Sequence, residues 1–444
     1  MTAGGAPKRS TDTVSAGSAE ALEWLYAFAD LERGVGWNPR SSPRLDWNLR
    51  RTRILLDLAD APDRRMVCVL VGGTKGKGST AAILARLLAA SGITAGLYTK
   101  PHLQSYRERI RVDGAAIGPA ELADGVARLR PRVARLAALA PTAGAPTTFE
   151  LTTALALEQF AAKGCTVAVV EVGLGGRLDA TNAIDPHVSV ITPISHDHTR
   201  ILGSRLRDIA SEKAGILRPG RVAVIAPQPA EAQRVLLAAC ERVASQPRTV
   251  RALSAREAAR LGLALPGAHQ RVNAAAALAA ARALGEHGVP VKEDAIGDAL
   301  RPLRWPGRFE VIAGSPTVVL DGAHNDGSAA ALAATLRHEL RGRRVRFVLG
   351  LMQDKDARAV VRALLPLAAS IDATRPPGVR GLDPRAIARL ARGVPVRAHD
   401  EIVDALAAAR ADAGTRDVVC VTGSLALVGR ARDVLGLPVA ERLW

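Results

Sequence analysis

The sequence predicts an α/β protein made of two parallel-sheet units, the first carrying a phosphate-binding loop and the second a smaller doubly wound unit. Three observations carry this reading. Short β-branched runs alternate with Ala/Leu/Arg-rich helical stretches along almost the whole chain. A glycine-rich loop stands between one such run and a helix, and a second series of strand-and-helix pairs begins near residue 317. With 444 residues, 48% of them apolar, the chain is long enough to bury the cores of two domains.

Taken in order, residues 1–18 (MTAGGAPKRSTDTVSAGS) are small and polar, with no apolar segment, and are expected to form a disordered tail rather than a signal peptide. No stretch approaches 18 consecutive apolar residues, so no membrane partner and a cytoplasmic location are expected. The first unit is placed at 19–305. Within it MVCVLV (66–71), VAVVEV (167–172), VSVIT (188–192) and VAVIA (222–226) read as buried parallel strands. In RWPGRFEV (304–311), Pro306 and Gly307 interrupt helix and strand alike and mark a hinge, with the domain boundary near 305–315. TVVLDG (317–322), VRFVLG (345–350) and DVVCVTG (417–423) then supply the strands of a second unit, 306–444.

Composition narrows the function. Cys68, Cys165, Cys240 and Cys420 lie far apart, which argues for neither a disulfide framework nor a zinc site. A formal charge of +17 suits nucleic acid, but the 60 Lys and Arg are dispersed and aromatics make up only 3%. Base-stacking platforms need aromatics, so anionic small substrates are the favoured reading of the charge.

The chemistry begins after MVCVLV. Gly72-Gly73-Thr74-Lys75-Gly76-Lys77-Gly78-Ser79-Thr80 leads into AAILARLLAASG, a helical stretch closed by Gly92. Glycines admit positive φ and close backbone approach, so successive N–H groups can face a polyphosphate while the helix N-terminus adds partial positive charge. Lys77 is placed to hold the β- and γ-phosphates, and Ser79 or Thr80 to reach Mg²⁺ or a phosphate oxygen. The loop departs from G-x-x-x-x-G-K-[ST] in having Gly78 between Lys77 and Ser79.

That segment resembles the nucleotide loop of the Mur ligase superfamily, and its Gly-Lys-Gly-Ser ending resembles the folylpolyglutamate synthase and dihydrofolate synthase branch. Further segments match in the same order: TKPHLQSYRERIRVDG (99–114), TTFELTTALAL (147–157), EVGLGGRLDATNAI (171–184), DHTRILGSRLRDIASEKAGIL (197–217), GAHQRVNAAAAL (267–278), WPGRFEVI, DGAHN (321–325), GLMQDKD (350–356) and VTGSLALVG (421–429). Together they cover roughly residues 20–435. The resemblance implies a P-loop-containing, Mur-ligase-like central domain with a second, smaller doubly wound α/β C-terminal domain.

It also implies the reaction. ATP phosphorylates a carboxylate, and the amine of L-glutamate attacks the acyl phosphate, with dihydropteroate or folates as the acid and Mg²⁺ as the metal. By resemblance Lys77, His198 and Lys213 are catalytic, Lys213 in carbamylated form, and Glu171, His198 and Ser79 hold metal. The loop residues Gly73, Thr74, Lys75, Gly76, Lys77, Gly78 and Ser79, with Asn273, Arg308, Asp321 and His324, contact ATP, which then lies between the two domains. Thr147 and Leu178-Asp179-Ala180 match contacts to the pteroate part of the acid. Family members are mostly monomers, and a monomer is expected.

The pattern breaks at three places. Lys100 stands where the family usually has a serine that binds Mg²⁺, Ser195-His196 precede Asp-His in place of small or apolar residues, and Asp326 replaces a usual proline. These departures bear on substrate identity more than on reaction type. Two other readings stay open: a Mur-type amide ligase acting on a non-folate acid, and a regulatory or nucleic-acid-associated P-loop NTPase without ligase activity.

Overall fold

The computed structural model describes residues 16–30 and 47–444. Most of the predicted tail falls outside these residues. Its last three positions do not: they open the helix Ala16–Tyr26, in which Ser18 is buried and a Cβ on Gly17 would sit 3.6 Å from Ala123, so small residues let this helix lie close against the helix Pro119–Leu139.

The first sheet has eight strands: β1 (Val67–Gly72), β2 (Ala95–Tyr98), β3 (Ile110–Val112), β4 (Ala115–Ala116), β5 (Val167–Glu171), β6 (Val188–Ile191), β7 (Val222–Ile225) and β8 (Gln246–Thr249), in the order β4-β3-β2-β5-β1-β6-β7-β8. Strands β2 to β8 along this order are parallel, and only β3 and β4 run antiparallel at the edge. All four strands expected from the sequence are present, and they are parallel because helices cover both faces. Alternate residues of β1 feed opposite cores: Cys68 and Leu70 pack with Leu151 and Leu155, whereas Val69 and Val71 pack with Leu84, Ala277 and Ala281.

The second sheet holds β9 (Glu310–Ile312), β10 (Thr317–Asp321), β11 (Val345–Leu349), β12 (Ala368–Thr374), β13 (Val396–His399) and β14 (Val418–Thr422), ordered β13-β12-β11-β14-β10-β9. It is parallel apart from the edge strand β9, and β9, β12 and β13 are strands that the sequence does not predict. Here too the faces alternate, with Val319 in one core and Val318 and Leu320 in the other. All four cysteines are free and buried. Among the described residues no helix is long and apolar enough to cross a membrane.

Two segments tie the units together. The loop after β2 docks against the second unit: Gln104 bonds Asp433 and the Leu437 carbonyl, Arg432 Nε donates to Gln104 at 2.7 Å, and Leu103 packs beside Val428. In return the last residues of the chain come back to the first sheet. Ala116 N–H donates to the Glu441 carbonyl at 2.8 Å, Leu443 N–H to that of Gly114 at 3.2 Å, and Leu443 is 1% exposed in the first unit's core. A single sequence boundary at 306 therefore does not separate all the contacts of the two units.

Beneath the first sheet's helices, Arg51 makes a bidentate pair with Glu150, both bonds 2.7 Å, and donates to the Ala143 carbonyl at 2.6 Å. Both side chains are buried, so removing one partner leaves an uncompensated charge. Arg51→Met is expected to lower unfolding free energy by about 3–5 kcal/mol, read by urea titration.

Candidate active site

The carboxyl ends of β1, β2, β5 and β6 and the facing ends of β10 and β14 open onto one cleft of about 1020 Å³. This is where parallel α/β sheets place ligands, because loops after the strands converge there with helix N-termini. The loop after β1 is shaped from below. Gly73 has φ +134°, and a Cβ there would stand 1.9 Å from Thr192 Oγ1. Thr74 and Lys75 N–H groups donate to the Pro193 carbonyl, and the Thr74 hydroxyl exchanges hydrogen bonds with the backbone of Ser195. Gly76, at φ +84°, caps the helix Lys77–Ala90, so the amides of that helix's first turn face the cleft.

A Cβ on Gly76 would lie 2.1 Å from Asn273 Oδ1, and Asn273 is buried and donates to Gln270 Oε1. Gly76→Ala thus forces the loop off Asn273 at a φ that disfavours alanine. We expect at least a tenfold loss in ADP affinity and about 1–3 kcal/mol in stability, measured by calorimetry and by denaturant unfolding.

Opposite the loop, β10 ends in Asp321, whose two oxygens accept from the Phe309 and Ala323 N–H groups and hold the hinge against the strand. Arg308 and His324 line the cleft beside it. The two walls meet directly. Asp197, from the loop after β6, accepts from Lys355 Nζ and from Asn325 Nδ2, both at 2.9 Å.

Residues 71–281 match the Mur ligase middle domain and residues 307–425 the Mur ligase, glutamate ligase domain. The Mycobacterium tuberculosis dihydrofolate synthase/folylpolyglutamate synthase is 37% identical over 88% of this chain and 91% of its own length. The chain belongs to the dihydrofolate synthase/folylpolyglutamate synthase family. The structure of M. tuberculosis folylpolyglutamate synthase complexed with ADP superposes with a TM-score of 0.85 and 33% identity, over 96% of this chain and all of that one. The Escherichia coli FolC structure in complex with DHPP and ADP gives 0.81 and 29%, over 96% and 99%.

The electrostatics of this family member's cleft are set by crowded cations. Lys77, the first residue of its helix, keeps part of its surface open to the cleft, but desolvation lowers its pKa against the opposing pull of Glu171. Glu171, at the end of β5, is 5% exposed. Burial raises its pKa, and Lys77 and the Lys100 N–H, 3.1 Å from Oε2, act in the other direction. Lys213 is 4% exposed and donates to the Gly73 carbonyl at 2.7 Å; desolvation, then Lys77, bring it down to about 7. His198 takes the left-handed conformation at φ 49° before a short helix, and desolvation inside the cleft lowers its pKa although its edge faces solvent.

Of the residues named from the sequence, Gly73 to Ser79, Glu171, His198, Lys213, Asn273, Arg308, Asp321 and His324 all line this one cleft. Thr147, Leu178, Asp179 and Ala180 are not among the residues that line it. Thr147 caps the helix Thr148–Ala162 by accepting from Glu150 N–H, and Asp179 accepts from the N–H groups of Leu174 and Thr181. Ala180 is buried and Leu178 half-buried in the same turn. These residues brace the wall from behind: Asp179 Oδ2 lies 2.8 Å from where a Cβ on Gly173 would point. Asp197, Lys355 and Gln270 were missed as site residues. The segments that contain them were recognised, but their roles arise from pairings that no local spacing reveals.

Proposed function

We propose that this protein is an ATP-dependent ligase that activates a carboxylate as an acyl phosphate and joins it to L-glutamate, with dihydropteroate, folates or both as the acid. The observation that carries the reading is the single cleft in which the phosphate loop of one α/β unit faces Arg308, Asp321 and His324 of the other. A nucleotide bound there contacts both units, so its site is complete only with the two walls together. Homology supplies the acid. ADP occupies the M. tuberculosis and E. coli structures, and the latter also holds DHPP.

Lys77 and the first-turn amides take the triphosphate, and a carboxylate oxygen of the acid attacks the γ-phosphorus while the bond to the ADP oxygen breaks. The amine of L-glutamate then attacks the acyl carbon, the C–O bond breaks, inorganic phosphate leaves and the amine proton passes to solvent. The donor chemistry fits Mg²⁺ at one position. Glu171 is a buried carboxylate whose Oε2 lies 3.2 Å from where a Cβ on Gly78 would stand, and Ser79 adds a hydroxyl, both hard oxygen donors. Glu171 and Ser79 would hold Mg²⁺ there, and the ion would supply positive charge to the phosphate oxygens.

The family resemblance also implies a second metal held by His198 and Lys213, which requires Lys213 to be a carbamate, since an ammonium repels a cation. A buried amine with pKa about 7 is neutral often enough at neutral pH to add CO₂. The decisive experiment supplies purified protein, ATP, Mg²⁺ and labelled L-glutamate with dihydropteroate or with reduced folates. Incorporation into either acid supports the reading and says which activity is present. Absence of incorporation with both sinks the folate assignment.

A further inference from the structure

We propose that Lys100 is the residue that receives the carboxylate to be activated, its ammonium bridging the acid to the phosphate loop. This rests on the ligase reading above. Lys100 follows β2 at the strand end next to Glu171: Tyr98 pairs with Val170 across the β2–β5 ladder, and the Lys100 N–H bonds Glu171. β5 in turn neighbours β1, which runs into the phosphate loop. Lys100 therefore belongs to the cleft at the seam between two different linings.

Lys77, Lys213 and Glu171 line it. The cleft also has an apolar and aromatic lining in Tyr26, Pro101, His102, Leu174 and Leu202. Tyr106 backs this second arm, with its ring 5.6 Å from Tyr26 and 5.4 Å from His102. The Lys100 ammonium lies 5.9 Å from the Phe149 ring, which stacks on Tyr98 at 6.0 Å. An apolar, aromatic arm is where a flat ring system gains from burial, and the phosphate loop is where its carboxylate must arrive.

The physical problem at that seam is repulsion. A carboxylate must approach a triphosphate closely enough to attack it, and both are anions. A fixed cation between them removes the barrier and orients the attacking oxygen. Lys100 acts on both Lys77 and Lys213, and Lys77 on Lys213, with Glu171 opposing Lys77 and Lys100 and with Asp197 and Asp179 opposing Lys77 and Lys213, so an incoming carboxylate meets three ammonium groups gathered in one part of the cleft. Of the three, Lys100 alone comes from the loop that also builds the aromatic arm, so it is the one tied to the acid rather than to the nucleotide.

The test compares Lys100→Met and Lys100→Arg with the parent. Acid binding is measured calorimetrically by titrating dihydropteroate or tetrahydrofolate into protein saturated with MgADP, and KM and kcat are measured alongside. Lys100→Met is expected to weaken acid binding and raise the acid's KM by about tenfold or more, the effect of losing a charge-assisted bond. MgADP affinity should stay within about twofold, and Lys100→Arg should recover most of the acid affinity because it keeps the charge. Unchanged acid affinity in Lys100→Met overturns the proposal, and so does a parallel loss of MgADP affinity, which would make Lys100 a phosphate ligand. If the parent itself joins glutamate to neither acid, the folate assignment fails and this inference falls with it; an active parent with an indifferent Lys100→Met sinks this inference alone.

Discussion

Lys77→Met lowers kcat by about a thousandfold, because the ammonium that meets the β- and γ-phosphates is worth more in the transition state, where charge shifts onto the leaving ADP, than in the ground state. The KM for the acid changes little. The fold does not suffer, since Lys77 is held in the cleft at a desolvation cost that lowers its pKa. Methionine fills similar volume without that cost, so the thermal midpoint of the variant is expected at or above that of the parent. Steady-state kinetics and thermal denaturation of the same preparation check both halves. A kcat within tenfold of the parent would show that phosphate charge is handled elsewhere.

Lys213→Met carries the second large effect and a pH signature. The folded pKa of about 7 lies below the ordinary lysine value of 10.5, so the unfolded chain binds the extra proton throughout that interval. The parent's stability therefore rises with pH between about 7 and 10.5, and the full penalty is present below 7. Methionine abolishes the penalty but leaves the Gly73 carbonyl without its 2.7 Å partner. The net expectation is a gain of about 2 kcal/mol below pH 7 in CO₂-free buffer, shrinking as the pH rises, while turnover falls by two orders of magnitude or more. A destabilised variant at pH 6, or a stability difference that grows with pH, would contradict the assignment of a desolvated ammonium.

Both effects come from one design feature. Cations are buried around Glu171 at a cost to stability, and the cost is recovered when a polyphosphate and its metal arrive. The Asp197 bridge to Lys355 and Asn325 gives this site a second wall even before ligand binds, and the return of Leu443 to the first core keeps the two units in register.

What could be read in advance follows chain locality. The phosphate loop was legible because strand, glycines, lysine and helix are contiguous, and the seven strands were legible because burial on both faces leaves unbroken β-branched runs. Glu171 was visible as a carboxylate ending such a run, whereas His198 and Lys213 required the family's segments, since neither residue type nor spacing marks them. The Asp197–Lys355 pair is separated by 158 residues, and its members come from different sheets. β9 was hidden because Val311 and its neighbours form a three-residue edge strand whose pairing is decided by β10. The structural roles of Thr147 and Asp179 were hidden for a different reason. Thr147 and Asp179 are capping residues, and in this chain their oxygens are already occupied by backbone N–H groups.

The central claim is that a carboxylate oxygen is phosphorylated within this cleft before the amide forms. It is tested most directly by supplying the acid labelled with ¹⁸O in its carboxylate, together with ATP, Mg²⁺ and L-glutamate, and analysing the released phosphate by mass spectrometry. An acyl phosphate passes one labelled oxygen to each phosphate formed during amide synthesis. Phosphate released without label while the amide accumulates would show that ATP cleavage is not coupled through the acid, and the proposed mechanism would be wrong.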